Sequence, residues 1–259
     1  MLAAGCGSSS GSDKASSDRT ATATATVNSP GLRRLRPAPQ PSAAAPSSQG
    51  RSRNAFLRAV FDDAEALWQQ EFHGAGLAYR PARLTIFSKQ VQTACGPGAA
   101  SSGPFYCPAS FGVYLDPTFF AALSRKVGVH LRDAAQAYVV AHEVAHHVQT
   151  PVGLTHQKAV ADRQDAGGAN ARSVRFELQA DCPAGVWMYS VYRRGELTDA
   201  DLADALNAAA VVGDDFLRNA AGRARPREQW THGSSAQRQR WLKTGLQKSR
   251  PDACDTFNQ

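Results

Sequence analysis

Apolar side chains recur along this chain with two periods, and each period marks a different kind of element. Between Asn54 and Gly76, Phe56, Leu57, Val60, Phe61, Ala64, Leu67 and Trp68 fall at helical spacing. Asn54 can cap the start of that helix, and Gly74 or Gly76 its end. Arg83 to Ser88 holds a short β-prone run. Phe105-Tyr-Cys107 and Val113-Tyr-Leu115 read as two strands of a hairpin turned by Pro108 to Gly112. Asp116-Pro117 places a capping residue before a proline at the first helical position, opening a short helix through Phe119, Phe120 and Leu123.

A long helix follows from about Leu131 to Gln149, stopped by Thr150-Pro151. Gly153 to Gly168 is weakly patterned and reads as a surface excursion. Asn170 to Arg193 is helical again, with Val174, Leu178, Val186, Trp187 and Val191 apolar. Thr198 or Asp199 caps an alanine-rich helix to about Val212, and Gly222 to Gly233 is a loop. Ser234 or Ser235 caps a last helix with Trp241 and Leu242 turned inward. The pattern predicts a predominantly helical α+β fold, with a small antiparallel sheet or hairpin beside the long helix.

The first fifty-odd residues differ from the rest. From Gly7 to about residue 52 they are mostly Ser, Ala, Thr, Pro and Gly, which bury too little surface to offset chain entropy. The division expected is a tether over 1–52 and one folded domain over 53–259, long enough for a buried core. Leu2-Ala-Ala-Gly-Cys6 followed by a Ser/Gly tether looks like the end of a bacterial lipoprotein signal. The expectation is a start upstream of Met1, lipid on Cys6 and a cell-surface protein anchored to a membrane, or otherwise a secreted one. Cys95, Cys107, Cys182 and Cys254 then remain, an even number suited to disulfides in an exported chain. Closing Cys95 with Cys107 would constrain a Gly/Pro/Ser-rich loop, and Cys182 with Cys254 would tie down the tail. Four cysteines allow three connectivities.

The net charge is +7 and the pI about 9.4. The basic residues are scattered, and no nucleic-acid motif with interleaved aromatics accompanies them. No apolar run is long enough to span a bilayer.

The chemistry concentrates in Tyr138-Val-Val-Ala-His-Glu-Val-Ala-His-His-Val-Gln149. His142 and His146 stand four apart, on one helix face, so both imidazoles can reach a single metal ion. Glu143 is angled away, placed to address a water rather than the ion. Catalytic zinc sites usually take three protein ligands. The third is expected from Arg175-Phe-Glu177-Leu-Gln-Ala-Asp181, with Glu177 as ligand and Asp181, one turn on, accepting the free N–H of a zinc histidine. His142 is its expected partner. His147 points elsewhere on the helix, and His156 lies in weakly patterned sequence.

With these segments the chain resembles the neutral zinc metallopeptidase family of bacteria, within the glutamate-type zincins. The likeness runs from about Phe56 to Phe257. It rests on Gly103 to Pro108, Val113 to Asp116, Ala141 to Gln149, Arg175 to Cys182, Ala184 to Trp187 and Thr231-His-Gly-Ser-Ser-Ala-Gln-Arg238. It implies a zincin-like core, a peptide or protein substrate, zinc as cofactor and a match at all four cysteines. Pro183 departs from the family pattern and predicts a kink just after Asp181.

The mechanism expected has zinc on His142, His146 and Glu177, Glu143 as general base, and His232 as donor to the oxyanion, with Tyr106 and Tyr114 as alternates. Val113 to Leu115 is the expected edge for an extended peptide. A non-catalytic zinc-containing binding domain and a zinc amidase acting on cell-wall cross-links are the alternative functions.

Overall fold

The computed structural model describes residues 27–28, 30–35, 48–219 and 226–258. Among them the elements run α1 (Pro30–Arg34), α2 (Arg53–Gly74), β1 (Arg83–Ile86), β2 (Gln90–Thr93), β3 (Gly96–Ala99), β4 (Phe105–Cys107) and β5 (Gly112–Leu115). They continue with α3 (Thr118–Val127), α4 (Asp133–Gln149), α5 (Leu154–Gln164), α6 (Ala169–Arg193), α7 (Asp199–Val211), α8 (Asp214–Asn219) and α9 (Ser235–Lys248).

Helix α4 is central, buried from Ala134 to Gln149. A helix apolar or small all round belongs in a core, and α4 is covered by α2, α6 and α7. Three capping side chains fix the helix starts around it. Ser52, rather than Asn54, accepts from the Ala55 amide. Thr198 with Asp201 and Ser234 with Gln237 each form a reciprocal capping box, which satisfies amide donors left open at a helix start.

Helix α9 lies closest to α6, and two glycines make the approach possible. A Cβ on Gly245 would stand 1.9 Å from the Cys182 carbonyl oxygen, and one on Gly185 2.2 Å from that of Leu242. Neither position has room for a methyl group. The contact is reinforced by the Cys182–Cys254 disulfide, and the second disulfide joins Cys95 to Cys107.

The sheet beside α4 is mixed, not purely antiparallel: β5 lies between β1, to which it is parallel, and β4, to which it is antiparallel. Val113 and Leu115 are buried toward the core, while Tyr114 takes the other face and stacks on Phe105 with ring centroids 5.1 Å apart. β5 therefore has no free edge, contrary to the sequence expectation; β4 is an edge of this sheet. A separate antiparallel β2–β3 hairpin precedes β4.

Two further expectations change, those for the stretch 153–168 and for the tether. The stretch 153–168 contains α5; its pattern is weak because only Leu154 and Ala161 of that helix are buried. Arg172 closes the turn after it, bonding Asp162 at 2.7 Å and Asp165 at 2.9 Å. Helix α6 runs through Pro183 without ending, and Asp181 keeps its place one turn beyond Glu177. Within the expected tether, residues 27–28 and 30–35 lie on the domain. Leu32 and Leu35 are fully buried, α1 lies against the turn Pro251–Cys254, and Arg33 bonds Asp255 at 2.8 Å. Composition averaged over forty residues hides the apolar anchors Val27, Leu32 and Leu35. Cys6 lies outside the described residues.

Candidate metal centre

Helix α4 stacks His142 and His146 one turn apart, with ring centroids 4.7 Å from each other. Helix α6 brings Glu177 across to both: Oε2 lies 3.1 Å from His142 Nε2, and Oε1 3.4 Å from His146 Nε2. One atom from each of the three falls within 4.8 Å of the others, so this group could hold a metal ion.

The outward nitrogens are both engaged. His142 Nδ1 is 2.9 Å from Asp181 Oδ1, and His146 Nδ1 is 2.8 Å from Gln149 Oε1. Those acceptors assign the ring proton to Nδ1 and leave the Nε2 lone pairs facing Glu177. Two imidazole nitrogens and one carboxylate, with one side open to a cleft, fit the donor set of a catalytic zinc site. Gln149 is itself fixed, donating to the Phe176 carbonyl at 2.7 Å and to Gln179 Oε1 at 3.1 Å.

Asp181, fully buried, is the hub of the support. Its Oδ1 accepts from the Tyr138 hydroxyl at 2.6 Å, and Arg238 of α9 grips both oxygens at 2.8 and 3.0 Å. The Arg238 guanidinium offsets the burial that would otherwise push this carboxyl up, and holds it below its ordinary range.

Glu143 is buried on the wall of the cleft, and burial pushes its carboxyl up despite the neighbouring His146 and His142. His147 faces away from the ligands, as the helix geometry predicts. Its Nε2 donates to the Arg80 carbonyl at 2.8 Å and its Nδ1 accepts from the Tyr106 hydroxyl at 3.0 Å. Burial lowers it to about 4, so it is a neutral clamp on Tyr106. His156 is exposed on α5.

His232 lines the cleft from the loop before α9. That loop is pinned by Asp214, whose Oδ2 accepts from the amides of Thr231, His232 and Gly233 at 2.9, 2.7 and 3.0 Å. Hydrogen bonding to Asp214 raises His232 above its ordinary value, with burial opposing.

These groups border a cleft of about 770 Å³. Tyr106 lines it; Tyr114 does not, and its hydroxyl is 3.1 Å from Ser110 Oγ. Sequence reasoning missed Gln149, Tyr138, Arg238 and Asp214. For Gln149 the signal was available, three residues after His146 on the same helix face.

A family model described as "Putative neutral zinc metallopeptidase" matches residues 21–257. The chain belongs to this family. The uncharacterized protein YpfJ of Escherichia coli strain K12 is 42% identical over 205 residues, covering 78% of this chain and 70% of its own length. The uncharacterized proteins Mb2605 of Mycobacterium bovis and Rv2575 of Mycobacterium tuberculosis strain H37Rv are each 41% identical over 224 residues, covering 81% of this chain and 73% of theirs. No solved structure matches the chain.

Proposed function

We propose that the chain is a zinc-dependent peptidase with a minimal zincin core, in which His142, His146 and Glu177 hold the ion. The observation that carries the reading is the convergence of two lone-pair Nε2 atoms and Glu177 in an open cleft, with Glu143 beside them. Zinc, when bound there, supplies Lewis acidity and makes water a nucleophile near neutral pH.

The chain's own groups do the rest. Glu143, made more basic by its burial, takes the proton of the attacking water and returns it to the leaving amine. His232, made more basic by its hydrogen bond to Asp214, donates to the oxygen that gains charge. Asp181 and Gln149 hold the two imidazoles in one tautomer. The free edge of β4 runs along the cleft, where Phe105 and Tyr106 line it, and offers backbone groups to an extended peptide. Phe119, Leu123, Val139 and Leu217 offer an apolar side chain a place to bury. Two disulfides suit an exported chain, which supports the surface or secreted location.

A peptide library digested with and without chelator tests this reading. Chelator-sensitive cleavage is expected, with Glu143→Gln keeping zinc and losing turnover, and Glu177→Ala losing zinc. His232→Phe is expected to slow turnover with zinc retained. Zinc binding with no cleavage of any peptide would replace the enzyme by a zinc-containing binding domain.

A further inference from the structure

Six of the ionisable side chains lining the cleft, tyrosines aside, already belong to the metal centre or its surroundings. The seventh, Lys126, does not. It sits in the last turn of α3, exposed, and no carboxylate among the described residues pairs with it. The cleft-lining residues of α3 are Phe119, Ala122, Leu123 and Lys126, spaced to lie along one helix face. The wall of α3 is therefore apolar for two turns and ends in a lone ammonium. The acids lining the cleft are Glu143 and Glu177, and the metal centre uses both.

We propose that Lys126 determines specificity: it selects peptides carrying an Asp or Glu side chain about three residues from an apolar side chain seated against Phe119 and Leu123. The spacing follows from helix and strand rise. Phe119 to Lys126 is seven residues, about 10 Å along the helix axis, which an extended peptide spans in about three residues. A lysine suits this task because its compact charge on a flexible stem meets a carboxylate without demanding one bidentate register. The inference rests on the peptidase reading for its consequence in catalysis, but peptide binding alone can test it.

The test uses the full zinc-loaded protein and matched peptides sharing one phenylalanine and differing only by Glu, Gln or Lys three residues to either side. On one of the two sides, kcat/KM is expected to rank Glu above Gln above Lys, by roughly two- to fivefold per step as for a solvent-exposed ion pair. The ranking is expected to shrink as salt is raised and to reverse in Lys126→Glu. Arg125→Glu changes the same net charge in the same helix turn and is expected to leave the ranking as it is. The Glu143→Gln protein, titrated with the same peptides by fluorescence anisotropy, is expected to show the same order in Kd. If nothing is cleaved, the affinities still decide the matter, so loss of the peptidase reading is distinguishable from loss of this one. Equal or unmeasurable affinities for the three peptides, an order unchanged by Lys126→Glu, or the same reversal from Arg125→Glu would overturn the proposal.

Discussion

His142 Nδ1 and Asp181 Oδ1 lie 2.9 Å apart, and that same carboxylate is gripped by Arg238 through two nitrogens. One buried anion thus orients a candidate zinc ligand and neutralises a buried cation from a third helix. The two roles separate by mutation. Asp181→Asn keeps the shape but strands the Arg238 charge, and breaking a buried pair in this way costs about 3–5 kcal/mol. It also removes the carboxylate behind His142, which lowers metal affinity about 10–100-fold. Adding Arg238→Met removes the stranded charge. Urea titration of the double variant is expected to recover most of the lost stability while zinc affinity stays low. Recovery of both would show that Asp181 acts only through Arg238.

The position of Arg238 depends on a contact seven residues along the same helix. A methyl group on Gly245 meets the Cys182 carbonyl at 1.9 Å and the Val186 amide nitrogen at 2.8 Å, both backbone atoms that cannot turn aside. Gly245→Ala must push α9 away from α6, at a cost of about 1–3 kcal/mol or more. Because α9 carries Arg238 to Asp181, zinc affinity is expected to fall together with Tm. The flanking exposed substitution Lys248→Ala is expected to change neither. A Gly245→Ala protein with unaltered Tm would mean the two helices are not held at this distance.

Much of this was legible from local pattern. The His142, His146 and Glu143 arrangement is set by helix geometry within five residues, and Glu177 with Asp181 by the same rule one helix later. Arg238 was not legible as a partner of Asp181. Its neighbours Gln237 and Gln239 are polar, one exposed and one half-buried, and its burial follows from the glycine contact between α6 and α9, which no single segment reveals. The edge assignment failed for a related reason. A hairpin reading pairs neighbours in sequence, and β1 reaches β5 from nearly thirty residues away. Strand alternation sets Tyr114 opposite to Val113, where it stacks on Phe105 and does not itself line the cleft.

Glu65 supplies a pH prediction away from the metal centre. It is buried on α2, with Oε1 3.0 Å from the Tyr79 hydroxyl and Oε2 accepting from the Ala82 amide at 2.9 Å. Burial raises its pKa to about 7, from 4.5, against those two hydrogen bonds. Below pH 4.5 the group is protonated in both the folded and unfolded chain. Between 4.5 and about 7 the folded chain keeps a proton that the unfolded chain has released, so stability falls as pH rises through that window. The full effect is on the order of 3 kcal/mol from the shift of a single group. Glu65→Gln keeps the shape and removes the titration. The stability of the variant relative to the native chain is expected to rise from pH 5 to pH 8 in urea titrations, and a difference flat across that range would remove Glu65 as the cause.

The Cys95–Cys107 bridge supplies the last prediction, because of what it encloses. The cleft-lining run from Ala100 to Tyr106 lies wholly between the two cysteines, and Cys95 is exposed while Cys107 is fully buried. None of the candidate ligands is in this loop. In the chain-entropy picture, closing a loop of this length stabilises by about 3 kcal/mol. Opening it therefore loosens one wall of the cleft without touching His142, His146 or Glu177. Cys95→Ser is expected to keep full zinc content and to raise KM for a cleaved peptide several-fold more than it lowers kcat. Brief treatment of the native protein with a mild dithiol is expected to reproduce that change and to leave the variant unaffected, because Cys182 and Cys254 are both fully buried. Loss of zinc from Cys95→Ser would instead tie this loop to the metal helix, through the Tyr106–His147 hydrogen bond that joins β4 to α4.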